Sequence, residues 1–168
     1  MKEIGLQAFQ LLFVFCVVYA MITDYRRLHI PNAVSLILAG AFFPFALLAG
    51  PAIPLLPHLA VGVAVFVVLF ACFAMGWLGG GDVKLASAII LWAGPTQGTN
   101  FIVLFALFGG VFALMLIALR RALVYYPHID AIGPLTKFNQ WARAGLCPYA
   151  LPIGAAALCV APALFARV

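Results

Sequence analysis

"GWLGGGDVKLASA", residues 76–88, places three consecutive glycines, an aspartate and a lysine between two stretches that are otherwise apolar. Consecutive glycines favour a tight turn, because glycine lacks a Cβ and lets backbones approach closely. The 168-residue chain is 67% hydrophobic and 8% charged, whereas charged residues make up about a quarter of an ordinary soluble domain. The stretch is therefore predicted to be a turn between two membrane-spanning segments, with a carboxylate at the membrane surface.

Apolar segments extend outward from this turn in both directions. Most of them approach the ~20 residues that a helix needs to cross a ~30 Å hydrocarbon layer. Strands of a membrane barrel would alternate polar and apolar residues over ~10 positions, and these segments do not. We predict an all-α, polytopic membrane helical bundle of about six transmembrane helices, forming a single membrane-embedded domain (1–168) with no separate soluble domain. The predicted spans are 4–22, 33–49, 59–78, 83–93, 101–119 and 149–165.

Basic residues are distributed unevenly among the predicted loops. The loops after the second and fourth spans, "GPAIPLLPH" and "GPTQGTN", contain no Lys or Arg. Because basic loops stay on the cytoplasmic side, we expect the other three loops to face the cytoplasm and both chain ends to lie outside. These three loops hold Arg26, Arg27, Lys84, Arg120, Arg121, Lys137 and Arg143. Orientation and contact with membrane lipids thus account for the net charge of +5, and no basic patch with interleaved aromatics indicates a nucleic-acid partner.

Asp24 and Asp82 follow the first and third spans, so both are expected at the cytoplasmic surface of the membrane. Ionisable groups at membrane depth are functional candidates, although Asp24 could simply offset the arginines that follow it. Two adjacent carboxylates cannot easily both ionise, so one keeps a proton. The charged one could then deprotonate a water while the protonated one polarises a carbonyl. This pairing predicts peptide hydrolysis.

Two segments resemble the motifs of one family of membrane proteases. "GGGD" (79–82), followed by "VKLASAIILWAG", resembles the G-x-G-D motif of the type IV prepilin peptidases, and "DYRRLHIPN" (24–32) resembles the segment around their other catalytic aspartate. The resemblance implies Asp24 and Asp82 as the catalytic pair and Gly79 and Gly81 as the motif glycines. It also implies a bacterial inner-membrane aspartic endopeptidase that cleaves prepilin or pilin-like precursors between a short basic leader and a hydrophobic helix.

The chain departs from the larger members of that family. It lacks their cytoplasmic region with paired C-x-x-C motifs, and the spacing of its cysteines indicates neither a zinc site nor a disulfide framework. No glycine-rich turn for S-adenosylmethionine is visible either, so we expect no methyl transfer, no cofactor and no metal. The four thiols, at Cys16, Cys72, Cys147 and Cys159, are interpreted as buried structural residues. The short form most resembles the peptidases of tight-adherence (Flp-type) pili.

Other functions remain open from the sequence. The two aspartates could line a proton or cation path in a small channel or transporter subunit, the chain could be an assembly protein without chemistry, or it could be another G-x-G-D protease of the preflagellin peptidase or presenilin-like kind. His29 is interpreted as a surface histidine and Asp130 as a solvated acid in the loop from 120 to 147. Loss of precursor cleavage in both single Asp variants would distinguish a peptidase from a channel or a scaffold.

Overall fold

The computed structural model describes residues 2–125 and 136–166, and within these ranges it contains helices and no strand. Four helices, α1 to α4, are long and apolar enough to cross a membrane, and α6 is a shorter apolar helix. The predicted all-α membrane bundle is therefore confirmed. The helices are α1 (Lys2–Arg27), α2 (Asn32–Ala49), α3 (Leu55–Ala74), α4 (Gly80–Tyr125), α5 (Thr136–Ala144) and α6 (Ala150–Phe165).

Helix α4 contains two of the six predicted spans. It has 46 residues and is broken at Gly94, whose φ of 59° and ψ of −163° are not helical. The two halves fold back on each other, because Ala86 and Phe105 line the same cavity and a Cβ on Gly98 would lie 3.6 Å from the side chain of Ile90. The predicted loop "GPTQGTN" is thus wrong beyond Gly94, and the residues that follow this glycine already belong to the next helical half.

A buried histidine completes the hydrogen bonding at this break. Pro95 has no N–H, so the carbonyl of Leu91 lacks the donor that a continuous helix would supply from four residues ahead. His58 of α3 takes that place, with Nδ1 2.9 Å from the Leu91 oxygen. Nδ1 must carry the proton to donate to a carbonyl, and its ring fills the space where a Cβ on residue 94 would stand. His58 therefore requires glycine at the break.

Trp92 joins three helices at the centre of the bundle. The side chain is fully buried, and its indole N–H donates to the carbonyl of Leu38 in α2 at 2.8 Å. The ring stacks on Phe45 of α2 with centroids 4.8 Å apart and contacts Phe13 of α1 at 5.3 Å. Phe13 also packs on Phe165 of α6 at 5.6 Å, so α1, α2, the first half of α4 and α6 share one core.

Three predicted boundaries need correction. Helix α1 continues to Arg27 rather than ending near residue 22, so Asp24 lies within the helix and does not follow it. Helix α3 is shifted toward the N terminus, from 59–78 to Leu55–Ala74. The expected loop 120–147 includes the end of α4 and all of α5. Asp130 lies outside the described residues.

Helix α5 packs against the end of α1 near Asp24. Trp141 meets the ring of Tyr25 edge to face, with centroids 5.3 Å apart, and the ammonium of Lys137 lies 4.5 Å from the centre of the same ring. Trp141 is buried together with Leu116 and Leu123 of α4. The short helix therefore connects the C-terminal end of α1 to the second half of α4.

Candidate active site

Asp24 is buried in the last turns of α1, with 6% of its surface exposed. Its Oδ2 accepts a hydrogen bond from the backbone N–H of Ala150 at 3.0 Å. Ala150 is the first residue of α6, and the free N–H groups at a helix N terminus favour a negative charge. The N terminus of α6 thus binds the carboxylate of Asp24 in α1.

Asp82 lies in the first turn of α4, directly after the glycine run. Its carboxylate accepts the backbone N–H of Gly79, and Gly79 in turn accepts the first helical hydrogen bond from Val83 at 3.2 Å. A side chain that reaches back to the residue capping its own helix is one half of a capping box. A Cβ on Gly79 would lie only 2.7 Å from Asp82 Oδ2. Glycine is therefore required at position 79 for this arrangement of the carboxylate.

The segment after α1 and the start of α4 pack on each other. A Cβ on Gly81 would lie 3.2 Å from Cβ of Ile30, so glycine lets the two backbones approach. Lys84 donates to Asn32 Oδ1 at 2.9 Å. Asn32 is the first residue of α2, and no side chain caps this helix; its amide binds Lys84. Both sequence motifs therefore meet at one end of the bundle.

This packing brings the two predicted aspartates together. The carboxylate of Asp24 is close enough to that of Asp82 to repel it electrostatically. They come from separate helices, and each accepts a backbone N–H from a different element. His29, interpreted from the sequence as a surface histidine, is exposed and close enough to interact electrostatically with Asp24. The arrangement can hold one proton between two carboxylates beside a bound water or carbonyl.

The loop between α5 and α6 forms a third side of the site, which the sequence did not indicate. Burial raises the pKa of the Cys147 thiol to about 11, a hydrogen bond with the Tyr149 side chain lowers it, and the nearby Asp82 and Asp24 carboxylates raise it further. Cys147 is half-buried and remains protonated at neutral pH. The expectation of a merely structural thiol therefore missed its place beside the aspartates.

The described residues include no group of three His, Cys, Asp or Glu side chains that could hold a metal ion. The groups assembled around the aspartates are carboxylates, a thiol, a phenol and backbone N–H donors. These are groups for proton transfer and hydrogen bonding. The chemistry that this chain's own residues can supply at the site is therefore general acid and base catalysis.

Comparison with known protein families finds one match. The profile of the type IV leader peptidase family matches residues 11–114, a range that includes both aspartates and both motif glycines. No curated protein and no solved structure matches the chain significantly. Since the matched range covers well over half of the chain, this membrane protein belongs to the type IV leader peptidase family.

Proposed function

We propose that the chain is an aspartic endopeptidase that removes the leader peptide of Flp-like type IV prepilins at the cytoplasmic face of the bacterial inner membrane. Asp24 and Asp82 are its catalytic residues. The observation that carries the proposal is the convergence of these two carboxylates, the first in α1 and the second in α4, at one end of an apolar bundle. Only four residues of the chain are acidic, and two of them come together at this site.

The reaction needs only proton transfers between the pair, a water and the peptide bond. The charged carboxylate takes a proton from the water, which attacks the scissile carbonyl, while the protonated carboxylate donates a hydrogen bond to the carbonyl oxygen. Collapse of the tetrahedral intermediate breaks the C–N bond, and the leaving amine receives a proton from the pair. The N–H groups of Ala150 and Gly79 each hold one carboxylate in place, which leaves the remaining oxygens for water and substrate.

The cytoplasmic placement rests on the basic residues around the site. Arg26 and Arg27, two and three residues after Asp24, are the last residues of α1. Lys84 follows Asp82 by two residues and is exposed. Basic residues near the ends of spans are retained in the cytoplasm. A precursor whose apolar helix sits in the membrane would present the bond before that helix at this depth.

The proposal is tested by co-expressing the chain with candidate prepilins and following their cleavage by mobility and N-terminal sequencing. Asp24→Asn and Asp82→Asn keep the side-chain shape but exchange no proton, so each variant should reduce cleavage to background at normal membrane abundance. Glu3→Gln, an exposed acid at the start of α1, is the control and should cleave as the wild type does. Cleavage near the wild-type rate in either Asn variant would remove that aspartate from the pair.

A further inference from the structure

A groove between α2, α3 and α4 lies beside the candidate active site. It encloses about 440 Å³, and Asn32 and Lys84 line it together with apolar residues. Leu36 and Val63 form its walls and are 71% and 61% exposed, so the groove opens sideways, toward the lipid. We call it the α2–α3–α4 groove.

Two serines, Ser35 and Ser87, line the groove. Ser35 is 94% buried, with 6% of its surface exposed, and Ser87 Oγ is buried without a hydrogen-bond partner. A buried hydroxyl without a partner costs free energy, and no water is available in hydrocarbon to supply one. A lipid acyl chain has no polar atoms, whereas a peptide backbone offers both donors and acceptors.

The lining of the groove also suits a helix. Ala39, Gly62 and Ala88 are small and line its floor, and small residues let membrane helices pack closely while serine hydroxyls bond across the interface. The Lys84–Asn32 pair closes the end nearest the site, and Asn32 follows Ile30, which packs on Gly81 next to Asp82. A peptide that passes from the groove to the carboxylates must cross the width of α4, which is about 10 Å, one helix diameter. Roughly three extended residues cover that distance.

We propose that the α2–α3–α4 groove binds the first turns of the precursor's apolar helix, immediately after the cleaved bond, and that Ser35 and Ser87 bind its backbone. The inference rests on the proposed function, since it assumes a precursor with a membrane helix. A few extended residues then lead from the groove past Lys84 to the carboxylates. Apolar packing in the groove selects a membrane-inserted substrate, and the pair of aspartates cuts it at a fixed distance from the start of the helix.

Photo-crosslinking in membranes tests where the precursor binds. A benzophenone amino acid replaces Val63 or Val68 in the Asp82→Asn background, which retains uncleaved precursor. The two valines are on the same helix and are equally exposed, at 61% each, but Val68 faces the cavity on the other side of α3. We expect an adduct with the precursor's apolar helix from position 63 and none from position 68. Equal adducts from both, or adducts with lipid alone, would overturn the inference.

Kinetics of the otherwise wild-type enzyme provide a second measurement. Ser35→Ala with Ser87→Ala should raise KM about threefold to tenfold, from two weak interhelical hydrogen bonds, and leave kcat unchanged. Ala39→Leu fills the groove and should raise KM in the same way. An unchanged KM in both variants would refute binding of the precursor in the groove, and it would leave the proposed peptidase function standing. If the wild-type chain cleaves no prepilin at all, the proposed function fails first, and the inference fails with it.

Discussion

Replacing Gly79 by alanine would displace one carboxylate of the pair without changing any charge. The new Cβ would stand 2.7 Å from Asp82 Oδ2, whereas ordinary contacts begin near 3.4 Å, so the carboxylate must retreat by about 0.7 Å. The backbone at Gly79 is not in the left-handed region, and alanine is tolerated there without strain. Because a misplacement of about 1 Å in catalytic geometry costs on the order of 10²-fold, we expect kcat to fall roughly 30- to 100-fold.

Gly80→Ala is the matched control for this experiment. Its Cβ would meet only the ring edge of Phe73, at 3.3 Å, and that side chain can shift by a few tenths of an ångström. The assay is timed cleavage of a purified prepilin by both variants in detergent, with thermal unfolding measured in parallel. Wild-type kcat in Gly79→Ala, or equal losses in the two variants, would show that the contact with Asp82 does not set the geometry of the site.

Three further predictions follow from the described contacts. Burial raises the pKa of Cys147 to about 11, and only the thiolate reacts with an alkylating reagent. At pH 8 we therefore expect Cys147 to be alkylated about 100-fold more slowly than a cysteine introduced at the exposed position of Leu146, and its rate should rise with pH. Equal rates at pH 8 would contradict this prediction. His58→Phe keeps the ring but removes the donor to Leu91 and should cost about 1–3 kcal/mol of stability, measured by thermal unfolding; an unchanged Tm would show that the bond is dispensable. Single cysteines at Thr99 and Lys137 test orientation in whole cells, where an impermeant reagent should label position 99; labelling of 137 alone would reverse the topology.

The polar residues of the site were predictable because they stand out in an apolar chain. Asp24 and Asp82 are two of only four acids, and the glycine run marks the turn that carries the second. The function of each glycine is visible only in three dimensions, since Gly79 makes room for a carboxylate and Gly81 for Ile30. Sequence indicates that a turn is tight, but it does not indicate what the turn must fit around.

Helix ends were predicted less well because hydropathy marks the hydrocarbon layer and not the end of a helix. Arginine is a good helix former, so α1 continues through Arg26 and Arg27 and ends where Leu28 adopts a φ of +50°. The sequence did not indicate that Ala150 and Cys147 contribute to the site. A backbone N–H is present in every residue except proline, and a thiol in an apolar stretch is common, so their positions beside the aspartates become visible only when α6 is packed against α1. His58 was likewise unassigned, although the missing donor at Pro95 predicts that some side chain must bind the carbonyl of Leu91.

The hydrogen bond from Ala150 to Asp24 has a consequence for the order in which the protein becomes active during its synthesis. The donor enters the chain 126 residues after the acceptor, so Asp24 is made and inserted long before its backbone partner exists. Until α6 has packed against α1, the carboxylate of Asp24 lacks its hydrogen-bond donor, the N–H of Ala150, and the two aspartates lack the neighbouring loop between α5 and α6. The ribosome therefore completes α1 to α5 before the hydrogen bond that anchors Asp24 can form.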